Sequence, residues 1–548
     1  LVAEFDDLDE QTNGLMINSD NFQALSAINI KYKEKVKGIY IDPPYNTSAS
    51  EIIYKNSYKH SSWLSLINDR IRTSAKMIAK NGMFCITIDD LEYPILKILC
   101  DETFGIQNYL ATTPIRNNPS GRSTVKGFSV NHEYGIFYSV DENLPSVGKL
   151  PHNQKQIQRY NFKDSDGKRY EWENLRRNGP DSNKPDRPKQ YYPIFAKSDG
   201  SIRIPEIQYD EKTKEWILSE KQNIDEYVVY PIHPDGTHKV WRYSLDNIQN
   251  EPDRFKAEIG DNSIELYRKK YLNSTGVLPR TWWDKAEYSA RDNGTRDLVN
   301  LFGGKAQFDF PKSVGAVMDS LKVENVNNSD IALDYFSGSG TTGHATIKLN
   351  REDQGNRKYI LVEMGEYFNT VTKPRIQKVI YSDNWKNGKP QDKEGISQMF
   401  KYFNLESYED ALNNLQLKPN EDQQQLLDTN ADMQEEYLLQ YMLDVESREH
   451  LMNIEAFRNP FNYNLNITEN NELIPTTIDL VETFNYLIGL HVKRVQRIGA
   501  FKTVEGVTNS GDKVLVIWRN LEESNNDDLN TFVKKMDYNL RDGEFDTI

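Results

Sequence analysis

Two short segments of the sequence combine residue types that could carry chemistry. The first is the run Asp42-Pro43-Pro44-Tyr45, which directly follows the apolar segment VKGIYI. Two prolines hold a loop extended and remove two N–H donors, so Asp42 and the neighbouring carbonyls present hydrogen-bond acceptors. Such acceptors suit an amine, and Tyr45 adds an aromatic face on which a base extruded from a duplex could stack. The loop therefore predicts a site that holds the amino group of a heteroaromatic base, the alternative being a plain Pro-Pro turn.

The second segment is the glycine-rich run DYFSGSGTTG, Asp334–Gly343, which follows an apolar segment and opens a helical pattern. Glycines allow the backbone to approach a ligand closely, and the first turn of a helix presents free N–H groups. The glycine spacing also fits the start of a phosphate-binding P-loop, but His344 and Ala345 stand where that loop needs Lys and then Ser or Thr. The next apolar segment ends in Glu363, where an acid can bind a ribose diol. The run thus predicts a nucleotide-like ligand without an ATP-hydrolysing loop, and a tight strand-to-helix turn is its alternative.

Alternating strand and helix patterns surround both segments. GLMINSD, VKGIYID and GMFCITIDD predict strands, whereas NFQALSAINIKYKEK and HSSWLSLINDRIRTSAKMIA predict helices, the second with an apolar face that reaches Ile78. Asp20 is placed to cap the first of these helices. The same alternation resumes at DIALDYF and RKYILVEM. The pattern predicts an α/β fold in which helices cover a parallel sheet and the functional loops lie at the carboxyl ends of the strands.

Composition restricts the class of protein. Hydrophobic residues make up 37% and charged residues 27% of the 548 residues, which is typical of a globular chain and excludes disorder for its bulk. No apolar run approaches the roughly 18 residues of a membrane helix, and the acidic start LVAEFDDLDE lacks the layout of a signal peptide. Cys85 and Cys100 both lie in apolar surroundings, as buried thiols of a reducing compartment do. These features predict a cytoplasmic protein without a membrane span. Pro185-Asp186 with Asp210-Glu211-Lys212 matches a loose metal-nuclease pattern, but chance is the better explanation, and no metal site is predicted.

Charge is distributed unevenly along the chain. The net charge of −15 argues against indiscriminate binding of nucleic acids. Between Lys155 and Lys189, however, ten Lys and Arg accompany six Asp and Glu, whereas from Glu406 to Glu449 twelve acids accompany two bases. Residues from about 146 to 285 are also rich in Pro, Asn, Asp and Tyr, with short β-like stretches. The middle region therefore predicts a β-rich inserted domain that could meet phosphates, which the later acidic region could not.

The two chemical segments resemble motifs of a known enzyme family. The tetrad DPPY at residues 42–45 resembles the catalytic motif of amino-methylating DNA methyltransferases, and DYFSGSG resembles their S-adenosylmethionine loop. The catalytic motif precedes the cofactor motif with an insertion between them, an order that is similar to the beta class of the family. The resemblance implies a Rossmann-like S-adenosylmethionine-dependent methyltransferase fold with a circularly permuted motif order. It further implies methyl transfer to N6 of adenine in duplex DNA, with cytosine N4 as the chemically similar alternative.

The resemblance also assigns roles around the target base. Asp42 and a backbone carbonyl of the Pro43-Pro44 loop would hold the amine, and Tyr45 would stack on the flipped base. His132 and Tyr134, in the stretch NHEYGIFYS, are further candidates for the base pocket, with core packing of Tyr134 as an equal alternative.

A second group of residues is implied to bind the cofactor. Asp20 corresponds to the contact with its adenine, Asp334 to the methionine amino group and Glu363 to the ribose. The segment FDFPKS, which contains Lys312, resembles a motif that covers the methionine end. The residues implied to bind S-adenosylmethionine are Asp20, Lys312, Asp334, Phe336, Gly338, Gly340, Thr341 and Glu363.

A narrower likeness exists to the modification subunits of type III restriction-modification systems. Besides DPPYNT, it rests on HSSWLSLINDRI, NHEYGIFYS, WWDKAEYSA, FGGKAQFDFPKS and EMGEYFNTVTKPRIQKVIY, which cover most of residues 14–145 and 280–385. The likeness implies duplex DNA as substrate, a homodimer and a separate ATP-dependent restriction subunit, and the incomplete P-loop fits that division of labour. A stand-alone DNA methyltransferase, an RNA or protein amine methyltransferase and a non-catalytic DNA-binding subunit are the alternatives.

Four segments follow from these patterns. Residues 1–145 are expected to form the catalytic part of the methyltransferase domain, 146–285 the target-recognition domain, 286–395 the cofactor-binding part and 396–548 an acidic assembly domain. Helices are expected there at ESYEDALNNL and EEYLLQYMLDV, and a strand at KVLVIWRN. Their apolar positions suit a partner surface, and packing on their own chain is the alternative.

Basic and aromatic side chains supply candidates for contact with DNA. The arginines expected there are Arg116, Arg122, Arg169, Arg176 and Arg177. The aromatic residues Trp172, Tyr191, Tyr192 and Trp241 suit the same surface or the core of the inserted domain.

Overall fold

The computed structural model describes residues 6–47, 60–121, 127–144, 147–260, 263–304, 308–414, 454–469 and 472–548. The chain divides into two compact units. The main unit combines the residues up to Lys149 with those from Leu278 onward, and the inserted unit spans Leu150–Val277. The insertion expected at 146–285 therefore has its boundaries slightly further inside that range.

The first part of the main unit alternates strands and helices. Its helices are α1 (Leu8–Gln11), α2 (Asn21–Tyr32), α3 (His60–Ala75) and α4 (Tyr93–Phe104). Its strands are β1 (Gly14–Asn18), β2 (Val36–Ile41), β3 (Ile78–Ile88), β4 (Tyr109–Ile115) and β5 (Glu133–Ser139). The Asp20 side chain accepts hydrogen bonds from the Phe22 and Gln23 amides and so caps α2, as the sequence predicts. Helix α3 ends earlier than predicted, because Ile78 already belongs to β3.

The described residues of the inserted unit form short strands, two short α-helices and two single-turn 3-10 helices. Its elements are α5 (Gln154–Arg159), β6 (Phe162–Lys163), β7 (Arg169–Asn174), β8 (Ile194–Lys197), β9 (Ile202–Arg203), β10 (Ile207–Asp210), β11 (Glu215–Leu218), β12 (Glu226–Val229), α6 (Leu245–Asn250), β13 (Phe255–Ile259) and β14 (Ile264–Tyr271). The sheets have the orders β13-β14-β7-β6 and β12-β8-β9, and β10 pairs with β11. Tyr192, Trp241 and Leu266 lie in the buried core of this unit. The unit is thus β-rich and has a core of its own.

The second part of the main unit continues the alternation. Its helices are α7 (Arg296–Phe302), α8 (Val314–Val323), α9 (Thr341–Asp353), α10 (Thr372–Tyr381), α11 (Tyr408–Asn413), α12 (Leu480–Leu487) and α13 (Asn526–Met536). Its strands are β15 (Ile331–Asp334), β16 (Lys358–Glu363), β17 (Trp385–Lys386), β18 (Lys389–Pro390), β19 (Phe400–Asn404), β20 (Asn464–Glu469), β21 (Glu472–Thr477), β22 (His491–Ile498), β23 (Phe501–Val507) and β24 (Lys513–Trp518).

Eight strands of the main unit form one sheet in the order β19-β1-β16-β15-β2-β3-β5-β4. Neighbours from β19 to β3 run parallel, and β5 pairs antiparallel with both β3 and β4. Every residue of β2 is buried, as expected for a strand in a sheet covered on both faces. The α/β architecture predicted from the alternation is confirmed, and an antiparallel pair completes one edge of the sheet.

The core of the main unit lies between this sheet and its helices. Trp63, Ile67 and Ile71 form the buried face of α3 and pack in the same core as the β2 side chains. Cys85 and Cys100 are both buried and free. Among the described residues, no helix has the length and apolar character needed to cross a bilayer.

The described residues after 395 belong to the main unit. Strand β19 pairs in parallel with β1, while β22, β23 and β24 form an antiparallel sheet. The separate domain expected from residue 396 is therefore corrected, because residues 400–404 add an edge strand to the main sheet. Helix α11 falls within ESYEDALNNL and β24 within KVLVIWRN, as predicted, whereas EEYLLQYMLDV lies outside the described residues.

Candidate active site

The strand order brings the two chemical segments to one edge of the main sheet. Strand β2 ends at Ile41, directly before Asp42, and its parallel neighbour β15 ends at Asp334. The next strands in the sheet are β16, which ends at Glu363, and β1, which leads to Asp20. The carboxyl ends of parallel strands meet at the same edge. Asp20, Glu363, Asp334 and Asp42, hereafter the carboxylate row, therefore lie at the ends of four adjacent strands.

Asp42 is held by contacts from two other segments. Its Oδ1 accepts a hydrogen bond from the Thr87 hydroxyl of β3 at 2.7 Å and lies 3.1 Å from the Lys312 ammonium. Burial raises the pKa of Asp42 above its usual value, and the Lys312 charge opposes this rise. Asp42 is thus a fixed acceptor whose negative charge depends on a neighbouring cation.

The Pro-Pro loop presents only a small set of acceptors. The Trp63 indole N–H donates to the Pro44 carbonyl at 2.9 Å. The Pro43 carbonyl accepts no hydrogen bond from the residues that the structure describes. Asn46, buried with a φ of 58°, ends the loop and donates from Nδ2 to Glu92 at 2.7 Å. The acceptors left for an amine are the Asp42 carboxylate and the Pro43 carbonyl. Of the two loop carbonyls that the sequence prediction left open, Pro43 is therefore the better candidate.

Tyr45 lies between the loop and a charged cluster. Its hydroxyl donates to Glu133 Oε2 at 3.0 Å, and the Lys312 ammonium lies 4.7 Å from the centre of its ring. Burial, followed by the charges of Asp42 and Glu133, raises the pKa of Tyr45, so its hydroxyl stays neutral. The ring is only partly buried, which leaves aromatic surface for stacking.

Lys312 lies against the catalytic loop. Its Nζ is 2.5 Å from both the Tyr45 hydroxyl and Glu133 Oε2, in addition to its contact with Asp42. Burial lowers the pKa of Lys312, but Asp42 and Glu133 outweigh that effect and hold the pKa above its usual value. The resemblance assigns Lys312 to the methionine end of the cofactor, and that role stays a prediction.

Glu133 is a member of the site that the sequence prediction missed. It begins β5, its side chain is 4% exposed, and its Oε2 also accepts a hydrogen bond from Asn117 Nδ2 at 2.6 Å. The sequence prediction selected its neighbours His132 and Tyr134, but the Tyr134 hydroxyl donates to Asp90 at 2.8 Å. The available signal was a carboxylate in an otherwise apolar strand pattern, because such groups are almost never fully buried unless paired.

The glycine loop is built around Asp334. Its Oδ1 accepts a hydrogen bond from the Phe336 amide at 3.0 Å, and its Oδ2 accepts one from the Thr342 hydroxyl at 2.5 Å. Burial raises the pKa of Asp334 to about 7, although both hydrogen bonds oppose the rise. The charges of Asp42 and Glu363 raise it further, so these two members of the carboxylate row are close enough to Asp334 to interact with it.

Two glycines of the loop adopt backbone angles that other residues rarely reach. Gly338 has a φ of 51° and Gly340 a φ of 83°. Glu363 fixes the loop, because its Oε2 accepts from the Gly338 amide at 2.8 Å and its Oε1 from the Gly365 amide at 2.9 Å. A Cβ on Gly338 would lie 3.1 Å from the ring of Phe308. The loop therefore has both the geometry and the tight fit that require glycine.

The other residues predicted at the cofactor have defined partners. Asp20, 34% exposed, forms an ion pair with Arg70 at 3.0 Å while it caps α2. Phe336 is buried next to Tyr335. Thr341 is the first residue of α9, and its hydroxyl accepts a hydrogen bond from a buried arginine.

That arginine, Arg375 of α10, was also absent from the sequence predictions. It is fully buried and donates to the Ser339 hydroxyl at 2.7 Å and to the Thr341 hydroxyl at 2.9 Å. Burial lowers the pKa of Arg375 to about 10, and burial together with Arg375 lowers the pKa of His344 well below its usual value. His344 is thus neutral at the position where a P-loop carries a lysine.

The arginines predicted at DNA differ in their surroundings. Arg116 is exposed after β4, Arg169 is exposed on β7, and Arg177 is partly exposed. Neither Arg169 nor Arg177 forms an ion pair within the part of the chain that the structure describes. Arg122 lies outside the described residues.

Arg176 requires a correction. Its guanidinium lies 3.2 Å from Glu265, donates to the Ile232 carbonyl at 2.8 Å and is 11% exposed. Its charge is therefore used inside the inserted unit rather than offered to phosphates. Tyr192 and Trp241 likewise belong to the core of that unit, which was the alternative for these aromatic residues.

The part of the chain that contains this site is similar in sequence to known proteins. The sequence model of a family described as DNA methylase matches residues 36–374, more than half of the chain. The type III restriction-modification enzyme EcoPI Mod subunit of Escherichia phage P1 is 30% identical over 419 residues, which are 68% of this chain and 62% of that protein. The chain thus spans less than two thirds of that subunit.

Two further similar proteins are matched over a larger share of their own length. The type II methyltransferase M.KpnI of Klebsiella pneumoniae is 29% identical over 381 residues, covering 67% of this chain and 84% of that protein. A crystal structure of the M1.HpyAVI-SAM complex is 14% identical, covers 66% of this chain and 99% of that chain, and has a TM-score of 0.30. Since the range matched by the family model begins before the Asp42 loop and ends after the glycine loop, the chain belongs to the DNA methylase family.

Proposed function

We propose that the chain is an S-adenosylmethionine-dependent DNA methyltransferase that acts on the exocyclic N6 of adenine in duplex DNA. The observation that carries the proposal is the meeting of the Asp42 loop and the glycine loop at the ends of the adjacent strands β2 and β15. One loop offers acceptors to an amine, and the other offers carboxylates and backbone amides to a nucleoside. Membership of the DNA methylase family supports this chemistry, and the DPPY form of the loop favours adenine over cytosine N4 by resemblance.

The residues around the glycine loop fit S-adenosylmethionine. Ser19 and Ser337, at the ends of β1 and β15, have buried hydroxyls without a hydrogen-bond partner among the described residues, and a polar ligand would satisfy them. Asp20 would contact the adenine, Glu363 the ribose and Asp334 the methionine amino group. When bound, the cofactor supplies a methyl group on a positively charged sulfur. The remaining contacts proposed for it are Lys312, Phe336, Gly338, Gly340 and Thr341.

The chain's own residues would orient and activate the amine. Asp42 and the Pro43 carbonyl accept hydrogen bonds from the two N–H groups of the amine. Because the amine nitrogen is otherwise conjugated with the ring, these hydrogen bonds increase its lone-pair character. Tyr45 stacks on the base after it leaves the duplex. Asp42, whose pKa burial raises, is also suited to take the proton that N6 loses on methylation.

The inserted unit is assigned to sequence recognition. Its exposed Arg169 and partly exposed Arg177, with Arg116 of the main unit, are proposed to contact phosphates. Similarity to type III Mod subunits supports a cytoplasmic modification and recognition subunit that dimerises and works with a separate ATP-dependent restriction subunit. These partners are part of the proposal, because the chain covers 62% of the EcoPI Mod subunit.

Methyl transfer from tritiated S-adenosylmethionine to duplex DNA, RNA and protein, assayed in parallel, tests the proposal. Sequencing of modified bases in DNA from expressing cells then identifies the target. Label in duplex DNA and N6-methyladenine at one recurring sequence are the expected results. N4-methylcytosine at that sequence would replace adenine as the target base, and label confined to RNA or protein would refute the proposal.

A further inference from the structure

Glu133 collects three donors at one carboxylate oxygen. Its Oε2 accepts from the Lys312 ammonium at 2.5 Å, the Asn117 amide at 2.6 Å and the Tyr45 hydroxyl at 3.0 Å. The side chain is 4% exposed, so solvent does little to stabilise its charge. The charge of Glu133 is therefore stabilised mainly by these three donors, and Glu133 in turn fixes their positions.

The same ammonium is shared with the proposed amine acceptor. Lys312 Nζ lies 2.5 Å from Glu133 Oε2 and 3.1 Å from Asp42 Oδ1, so it sits closer to Glu133. One cation thus serves two carboxylates in a largely buried cluster, where opposite charges interact strongly. An ammonium paired with Asp42 alone would compete with a substrate amine for that carboxylate.

We propose that Glu133 is a positioning residue that draws the Lys312 ammonium toward itself and thereby keeps the Asp42 carboxylate available to the target amine. Its hydrogen bond with the Tyr45 hydroxyl also fixes the orientation of the Tyr45 ring, which is proposed to stack on the base. The inference rests on the proposed methyltransferase function for its role in turnover. The sharing of the cation is a property of the protein alone and can be tested without any substrate.

Glu133→Gln removes the charge while keeping the size of the side chain and an oxygen that can accept from Tyr45. With no other carboxylate partner among the described residues, Lys312 would pair fully with Asp42, and kcat at saturating S-adenosylmethionine should fall on the order of 10- to 100-fold. KM for DNA should change less than about threefold, because most duplex affinity comes from phosphate contacts elsewhere. Glu133→Asp, which keeps the negative charge, should retain a kcat at least about threefold above that of Glu133→Gln, because Lys312 keeps a second carboxylate partner.

Asp319→Asn is a matched control. Asp319 is also a buried carboxylate that binds one lysine and one tyrosine, Lys285 at 2.5 Å and the Tyr288 hydroxyl at 2.7 Å. Its neutralisation should lower stability but leave kcat within about twofold, since neither partner belongs to the catalytic loop. An unchanged kcat in Glu133→Gln, or a Glu133→Asp variant no faster than Glu133→Gln, would overturn the positioning role.

A substrate-free measurement separates this inference from the proposed function. Asp42→Asn and Lys312→Met, alone and together, give the coupling between the two residues from urea unfolding, in the wild-type background and in Glu133→Gln. The coupling factor on the unfolding equilibrium constant should be at least about tenfold larger when Glu133 is neutral. An equal factor in both backgrounds overturns the inference, whereas a wild-type protein that methylates no DNA overturns only the proposed function.

Discussion

The behaviour of Asp42 depends on residues from distant parts of the chain. Its carboxylate accepts a hydrogen bond from the Thr87 hydroxyl on β3 and forms an ion pair with Lys312, which precedes α8. Lys312 forms a second ion pair with Glu133 on β5. None of these partners can be assigned from the DPPY motif, which identifies only the acceptor. At the scale of single residues, the chemistry is therefore set by charges that the fold supplies to the motif.

Asp42→Ala should abolish methyl transfer while leaving cofactor binding nearly intact. The substitution removes a positioned acceptor, which typically costs on the order of 100-fold or more in rate. Lys312 keeps Glu133 as a partner, so the fold should persist. Single-turnover methylation and calorimetric titration with S-adenosylmethionine measure the two effects, and near-normal turnover would contradict the mechanism.

Asp334→Asn should change how stability depends on pH. Burial raises the pKa of Asp334 from 3.8 to about 7, so the folded chain binds this proton more tightly than the unfolded chain. The stability associated with the protonated form is present below pH 4 and is lost as the pH rises through about 7. That shift corresponds to about 4 kcal/mol, so the free energy of unfolding of the wild type should fall relative to Asp334→Asn across this range. Urea unfolding at several pH values checks this, and a constant difference between the two proteins would contradict it.

Strand order decides which loops meet. Strands β2 and β15 are far apart in sequence but adjacent and parallel in the sheet, so their loops form one site. Apolar runs predict these strands, and Asp20 predicts the start of α2, because burial and capping leave local signals. The pairing of β5 with β3 and of β19 with β1 has no such signal, since it depends on long-range contacts. Glu133 and Arg375 were missed for that reason, as their partners Lys312 and Thr341 are brought to them only by the fold.

Gly338→Val should prevent cofactor binding. Gly338 has a φ of 51°, and a Cβ there would lie 3.1 Å from the Phe308 ring, so valine would distort the loop that meets the ligand. Gly499→Val is a matched control, because Gly499 has a φ of 61°, lies between β22 and β23, and has no atom within 4 Å of the position that a Cβ would take. Calorimetry with S-adenosylmethionine should detect binding only in the control. Unchanged affinity in a folded Gly338→Val protein would mean that the loop has been misassigned.

Two units divide the molecule into a part that holds the proposed chemistry and a part that presents basic residues. The inserted unit has its own buried core, and its charged residues fall into internal pairs, such as Arg176 with Glu265, and exposed groups, such as Arg169. This distinction was invisible in the sequence, where Arg176 and Arg177 are adjacent and chemically equal. It now separates arginines that can meet phosphates from one that supports the fold.

Arg169→Glu and Arg177→Glu should weaken DNA binding and reduce its salt dependence. Each lost phosphate contact lowers the slope of the logarithm of affinity against the logarithm of salt concentration by about 1. Arg176→Gln is the control, and it should lower the stability of the inserted unit while leaving the slope unchanged, because its guanidinium binds Glu265. Filter binding over a range of salt concentrations gives the slopes, and equal slopes in wild type and both charge reversals would remove these residues from the interface.

A chain that ends near residue 395 should be destabilised rather than lose assembly alone. It would lack β19, which pairs with β1, and Lys401, whose ammonium lies 2.7 Å from Asp9 and 2.6 Å from Glu482. Loss of the edge strand would leave one side of β1 unpaired, and Asp9 would keep Lys31 but lose Lys401. Thermal unfolding of the truncated chain should show a lower midpoint than the full chain, and an equal midpoint would contradict the role of β19.

Assembly is better tested by replacing residues 415–453, which lie outside the described residues, with a flexible Gly-Ser linker. This change keeps β19 and Lys401 and removes most of the acidic run Glu406–Glu449, whose charge disfavours contact with DNA and whose apolar positions suit a protein partner. Of the apolar positions predicted for a partner surface, Leu412 remains in α11, whereas Leu415, Leu438, Leu439, Tyr441 and Met442 are removed. The linker variant should bind S-adenosylmethionine like the full chain but lose its dimer mass in light scattering or its capture of a restriction subunit in a pull-down. If it retains both, the surface for assembly lies outside residues 415–453.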